Sequence, residues 1–146
     1  DNCYGLKTPP LIPGNNVTNM QRTFRWCTNL VAAPNIPNSA TYMEQTFQNC
    51  RNLVTPPAHI SKSVTCMNYC FTNCKKMTGN MRLYSTELTD AYGTFQETGL
   101  SKNIFIYFKY ANGTNTKTYN TIVASSTNRW HGKNGVTVYD MGSAPW

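Results

Sequence analysis

Few residues in this chain could do chemistry, and the most conspicuous are sulfurs. Cys66, Cys70 and Cys74 fall at i, i+4 and i+8, with His59 upstream. On a helix that spacing would put three thiols on one face. Two chemistries use such groups. Zinc normally takes ligands paired more closely, as in Cys-x2-Cys, so no metal site is expected here. A thiolate nucleophile needs a base and an orienting group beside it. The histidines are His59 and His131, and the acids are Asp1, Glu44, Glu87, Asp90, Glu97 and Asp140. No nucleophile, base and orienting group can be nominated together from this set. The chain also lacks a Gly-x-Ser-x-Gly elbow, a phosphate-cradling glycine loop and a His-Glu-x-x-His helix. These absences argue against an enzyme, and no cofactor is implied.

The spacing of the cysteines has another explanation. Cys3, Cys27, Cys50 and Cys74 recur every 23 or 24 residues, as do Phe24, Phe47, Phe71 and Phe95. Met20, Met43 and Met67 keep the same step, and Leu30, Leu53 and Met77 close each copy three residues after its cysteine. A fixed period in the range of about 20 to 29 residues marks a solenoid, in which one unit cannot bury its apolar side alone and stacks on the next. The residues predicted to line the core are therefore Met20, Phe24, Cys27, Leu30, Met43, Phe47, Cys50, Leu53, Met67, Phe71, Cys74, Met77 and Phe95. The methionines read as core filling and not as a ligand box.

Each copy, or rung, must supply the elements that position these residues. Proline-rich stretches follow every Cys-x-x-Leu, at 8–20, 33–43 and 55–67. Proline fixes an extended φ and restricts the residue before it, so these are short strands or polyproline segments with Ile12, Ile36 and Ile60 inward. The Met-x3-Phe step then suits one short helical turn. The expected rung is strand, corner, helical turn, corner.

The pattern Ile-Pro-x-Ser-Val-Thr-x-Met-x2-Thr-Phe-x2-Cys-x2-Leu resembles the BspA-like leucine-rich repeats of bacterial, phage and protist surface proteins. The resemblance covers residues 3 to about 100. It implies an α/β leucine-rich-repeat solenoid of about four 23–24-residue rungs over 1–100, followed by a C-terminal α+β capping unit over 101–146. Rung four departs from it, with Leu83 and Tyr84 for Ile-Pro, Ala91 for Met and Thr98 for Cys, as expected of a last turn before a cap. In the cap, 103–110 and "VTVYDM" have strand composition, 116–126 suits a short helix, and Asn-Gly pairs at 112–113 and 134–135 mark turns. At the other end "CYGL" enters in mid-rung, which predicts upstream repeats or another domain.

In leucine-rich repeats the ladder position takes Asn or Cys with the side chain inward. A ladder of buried free thiols is the favoured reading, and a bridge between neighbouring rungs is the alternative, disfavoured by the narrow geometry of a disulfide.

What remains is surface. The 13 Lys and Arg against 6 acids give a net charge of +7. Charge of this size mainly tunes solubility and non-specific attraction, and no nucleic-acid module accompanies it. No run reaches the roughly 20 apolar residues of a membrane helix. Arg25, Arg51 and Lys75 lie beside the ladder cysteines and are expected to form a basic strip. Trp26, Tyr42 and Tyr69 are candidates to stack on sugars. With the resemblance, these residues imply an extracellular, non-enzymatic adhesion or receptor-binding module on a cell or virion surface, such as a bacterial surface protein or phage tail fibre. Its partner would be a host-cell surface protein or an anionic glycan or envelope polymer, with the chain part of a larger protein or a homo-oligomeric fibre. The second hypothesis is architectural, a spacer or decoration whose face binds nothing.

Overall fold

The computed structural model describes residues 1–14, 16–99, 104–108, 118, 121 and 136–140. Within it the copies of the motif lie side by side. The rings of Phe24, Phe47, Phe71 and Phe95 form a single column, with successive centroids 5.4 Å apart and planes within 7° of parallel. Met20, Met43 and Met67 are buried alongside it, as are Cys27, Cys50 and Cys74 and the closing Leu30, Leu53 and Met77. Ile36 and Ile60 are inside, and Ile12 packs half-buried against the same core.

Backbone hydrogen bonds explain the spacing. Met20, Arg22, Phe24 and Trp26 donate their N–H groups to the carbonyls of Tyr42, Glu44, Thr46 and Gln48, at 2.8–3.0 Å. The next two interfaces repeat this, from Met43, Gln45, Phe47 and Asn49 to Cys66, Asn68, Cys70 and Thr72, and from Met67, Tyr69, Phe71 and Asn73 to Asp90, Tyr92, Thr94 and Gln96. The alternate N–H groups turn back three residues within their own rung, as Thr23 does to Met20, Arg25 to Arg22 and Cys27 to Phe24.

This pattern differs from the helical turn predicted over Met-x3-Phe. The described residues there form a run of tight turns and no helix. A helix would keep its N–H groups for itself, and its width of roughly 10 Å does not repeat every 5.4 Å. Half of the donors instead face the neighbouring rung. To aim them there the chain adopts positive φ twice per rung, at Arg22 (57°) and Trp26 (62°), Gln45 (55°) and Asn49 (65°), Tyr69 (54°) and Asn73 (64°), and Gly93 (62°) and Glu97 (54°). Left-handed backbone is costly for most side chains. Here the ladder between rungs offsets that cost.

The proline-rich side behaves as extended chain but pairs sparsely at first. Rungs two and three meet there through the isolated bridge Ala32↔Thr55, and rung three offers rung four only the two-residue strand β1 (His59–Ile60). Pro9, Pro10, Pro34, Pro56 and Pro57 have no N–H to give. Where proline disappears, a longer strand forms, β2 (Gly79–Leu83), with Met81 and Leu83 buried. β3 (Ile104–Phe108) and β4 (Val136–Asp140) extend it into one parallel sheet in the order β1-β2-β3-β4. Ile60↔Leu83, Leu83↔Phe108 and Phe108↔Asp140 are in register. The sheet thus runs across residue 100, where the sequence places the start of a capping unit. Thr118, helical in conformation, is buried against rung four, accepting from the Leu88 N–H at 3.2 Å and donating to the Ser85 carbonyl at 2.9 Å. Thr121 is also buried there and donates to the Leu88 carbonyl at 2.7 Å, whereas the two Asn-Gly turns and the other residues of the expected 116–126 helix lie outside the described residues.

Candidate functional site

The turn side of the stack presents rows of side chains, each row drawing one residue from each rung. Its inner rows are the methionines, phenylalanines and thiols of the core. Its outer rows carry every sequence-predicted binding residue except Tyr42, which lies at the entry to the turns.

Trp26 sits one residue before its ladder cysteine, half-buried, at a positive-φ position. Arg51 comes one residue after the next cysteine, and its guanidinium carbon lies 5.6 Å from the centre of the Trp26 ring. The structure therefore joins these two into a cation–π pair across a rung boundary. Tyr69 meets Tyr92 edge-on, with centroids 5.4 Å apart. Its ring also covers Gly93, where an added Cβ would approach it to 2.8 Å. Tyr42 stands on a separate line, bridged on either side by Asn19 and Cys66, and its side chain is 53% exposed.

The basic residues do not form one row. Arg25 lies two residues before Cys27, and its neighbour in the next rung is Gln48, to whose Oε1 it donates from Nε at 2.9 Å. Arg51 and Lys75 each follow their cysteines by one and share a row of their own. Arg25 also approaches Asp1 at 4.0 Å in an exposed ion pair.

Sequence reasoning passed over a set of amides that tie the outer rows together. Gln21 Nε2 donates to Glu44 Oε2 and Arg22 Nε to Gln45 Oε1, each at 2.8 Å, and Asn73 Nδ2 donates to Asn49 Oδ1 at 2.6 Å. Asn49 and Asn73 are both at positive φ, where asparagine is favoured over most residues. Their recurrence at one repeat position was the available signal.

The five buried thiols are placed where chemistry is disfavoured, and Cys3 alone of the six is exposed. Burial pushes Cys50 up to about 12, and it raises Cys27, Cys66, Cys70 and Cys74 as well. A buried thiol held protonated is a poor nucleophile and a poor ligand. His59 is half-buried and packs against Tyr84, ring centroids 5.5 Å apart. Among the described residues no group of three or more His, Cys, Asp or Glu could hold a metal ion, and no helix is long and apolar enough to cross a membrane. Comparison with known proteins finds no matching family model, curated protein or solved structure.

Proposed function

We propose that this chain is a BspA-like leucine-rich-repeat solenoid that acts as a non-enzymatic recognition module on a cell or virion surface, taking a host-cell surface protein or anionic glycan as its partner. The observation that carries the reading is the contrast between the two sides of the turn rows. Inward positions repeat one residue type through most of each row, with Ala91, Thr98 and Met77 as the departures, whereas the outward positions of the same turns vary and gather rings and cations, with Trp26 under Arg51 and Tyr69 against Tyr92. Aromatic and arginine side chains are the types enriched where surfaces bind. The net charge of +7 favours an anionic partner and would act mainly by steering it.

The architectural alternative has its own support. Gln21, Arg22, Arg25 and Asn73 all direct a donor to the adjacent rung and so serve the stack. The test is surface-plasmon kinetics on sialylated mucin and heparan sulfate, with neutral mannan as control, at low and high salt. The triple variant Arg25→Gln, Arg51→Gln, Lys75→Gln should associate several-fold more slowly at low salt, with dissociation little changed. Equal association rates, or binding indifferent to salt, contradict the electrostatic reading. Binding to none of these, nor to intact host cells, favours the spacer.

A further inference from the structure

On the flank between the turn rows and the extended segments lies a shallow groove of about 320 Å³, lined by Lys7, Asn29, Val31, Asn52, Val54 and Lys76. Its floor is laid by the stacking itself. The Val31 N–H donates to the Lys7 carbonyl at 3.1 Å and the Val54 N–H to the Val31 carbonyl at 2.7 Å, which sets the two valines in adjacent rungs. Val31 remains 48% exposed, a large apolar side chain that the fold leaves uncovered. Along one wall Asn29 Nδ2 donates to the Tyr4 carbonyl at 2.6 Å and Asn52 Nδ2 to the Thr28 carbonyl at 2.9 Å. With their nitrogens so engaged, both amides have oxygens left to accept from a bound chain. Lys7 and Lys76 stand at opposite ends, three rung intervals apart, since the ladder from Lys7 through Val31 and Val54 continues to Thr78, two residues past Lys76. No acidic residue lines the groove, and among the described residues neither ammonium has an ion-pair partner.

We propose that this groove binds an extended acidic peptide segment, with two carboxylates held by Lys7 and Lys76 and a small apolar side chain between them on Val31 and Val54. The proposal rests on the recognition reading above and names a partner chemistry for it. Three rung steps, about 4.8 Å between paired backbones and 5.4 Å between the stacked rings, separate the lysine backbones by roughly 14–16 Å, and their flexible arms take up the difference. An extended chain covers that in four residue steps of about 3.4 Å, so the acids belong at the first and fifth positions. Successive side chains of such a chain alternate in direction, which brings the first, third and fifth to one side. A peptide also supplies the N–H donors that the two amide oxygens would accept. No aromatic ring lines the groove, so a sugar would find no face to stack on.

The probe is the blocked peptide Glu-Ala-Val-Ala-Glu, added at millimolar concentration to methyl-labelled protein and followed by NMR. Shifts centred on the Val31 and Val54 methyls are expected, weakened several-fold by the variant Lys7→Gln, Lys76→Gln and by high salt, and absent with Gln-Ala-Val-Ala-Gln. The substituted lysines are exposed, and unchanged core methyl shifts verify that the variant is folded. No shift at these valines, equal shifts with the neutral peptide, or shifts produced there by oligogalacturonate and not by the peptide overturn the proposal. Because the readout is local to the groove, its failure leaves the glycan and cell-binding result on the turn face standing, and failure on that face leaves this one standing.

Discussion

At the ladder position the chain needs a donor as well as a small inward side chain. Cys50 Sγ donates to the Phe24 carbonyl at 2.9 Å and Cys74 Sγ to the Phe47 carbonyl at 3.1 Å, each reaching back one rung. Thr98, which departs from the repeat pattern, donates from its hydroxyl to the Phe71 carbonyl and so does the same work. Thr46 and Thr94, just before their phenylalanines, do likewise to the carbonyls of Met20 and Met67, both at 2.9 Å. Cys50→Thr should therefore stay within about 1 kcal/mol of wild type, whereas Cys50→Ala should lose about 1–2 kcal/mol, from the missing donor and the void. Urea midpoints measure both, and an alanine variant as stable as threonine would show that the donor is idle. The same thiols set an alkaline limit. Burial raises Cys50 from 9.0 to about 12, so the stability tied to its neutral form is complete below pH 9 and is lost as pH climbs toward 12. Wild type should lose more stability than Cys50→Thr over that window, while tyrosine ionisation acts on both. At neutral pH exposed Cys3 should react at once with a thiol reagent and the five buried cysteines only on unfolding. The ladder was legible from spacing alone. The acceptor of each thiol was not, because it lies on another rung.

The turns show where periodicity stops being informative. An i, i+4 pair of apolar residues reads as helix when the partner surface is unknown. Here the partner is a copy 5.4 Å away, and the same two residues point inward from a turn that shares its hydrogen bonds sideways. The cost is two positive-φ residues per rung, and only Asn49, Asn73 and Gly93 among them hint at it by type. Gly93 occupies the position held by Arg22, Gln45 and Tyr69 in earlier rungs, so φ alone does not demand glycine there. The Tyr69 ring does, being 2.8 Å from where a Cβ would stand. Gly93→Ala should cost about 1–2 kcal/mol in a wild-type background and clearly less beside Tyr69→Ser, a coupling that a double-mutant cycle reads directly. Additive effects would mean that the ring yields freely. The extended side was more legible, since proline excludes regular pairing in rungs one to three and its absence from 79–83 allows β2.

For the molecule as a whole, the repeat period carries both the proposed solenoid and the proposed binding role. A core that one rung cannot close alone requires neighbours, and the stack then displays rows of outward side chains one rung apart. The sheet continuing through β3 and β4 extends that arrangement past the last recognisable repeat, in segments whose sequence shows strand composition but not period. The candidate binding residues could be named from sequence by type and position. Their pairing could not, because Arg51 with Trp26 and Tyr69 with Tyr92 are contacts across rung boundaries. The most direct measurement is ring-to-ring NOEs in protein carrying 13C-labelled phenylalanine. With centroids 5.4 Å apart, cross-peaks should link Phe24 to Phe47, Phe47 to Phe71 and Phe71 to Phe95, and none should link Phe24 to Phe71 or Phe95. Rings without these neighbours, or a contact between Phe24 and Phe95, would contradict the stacked column on which the account stands.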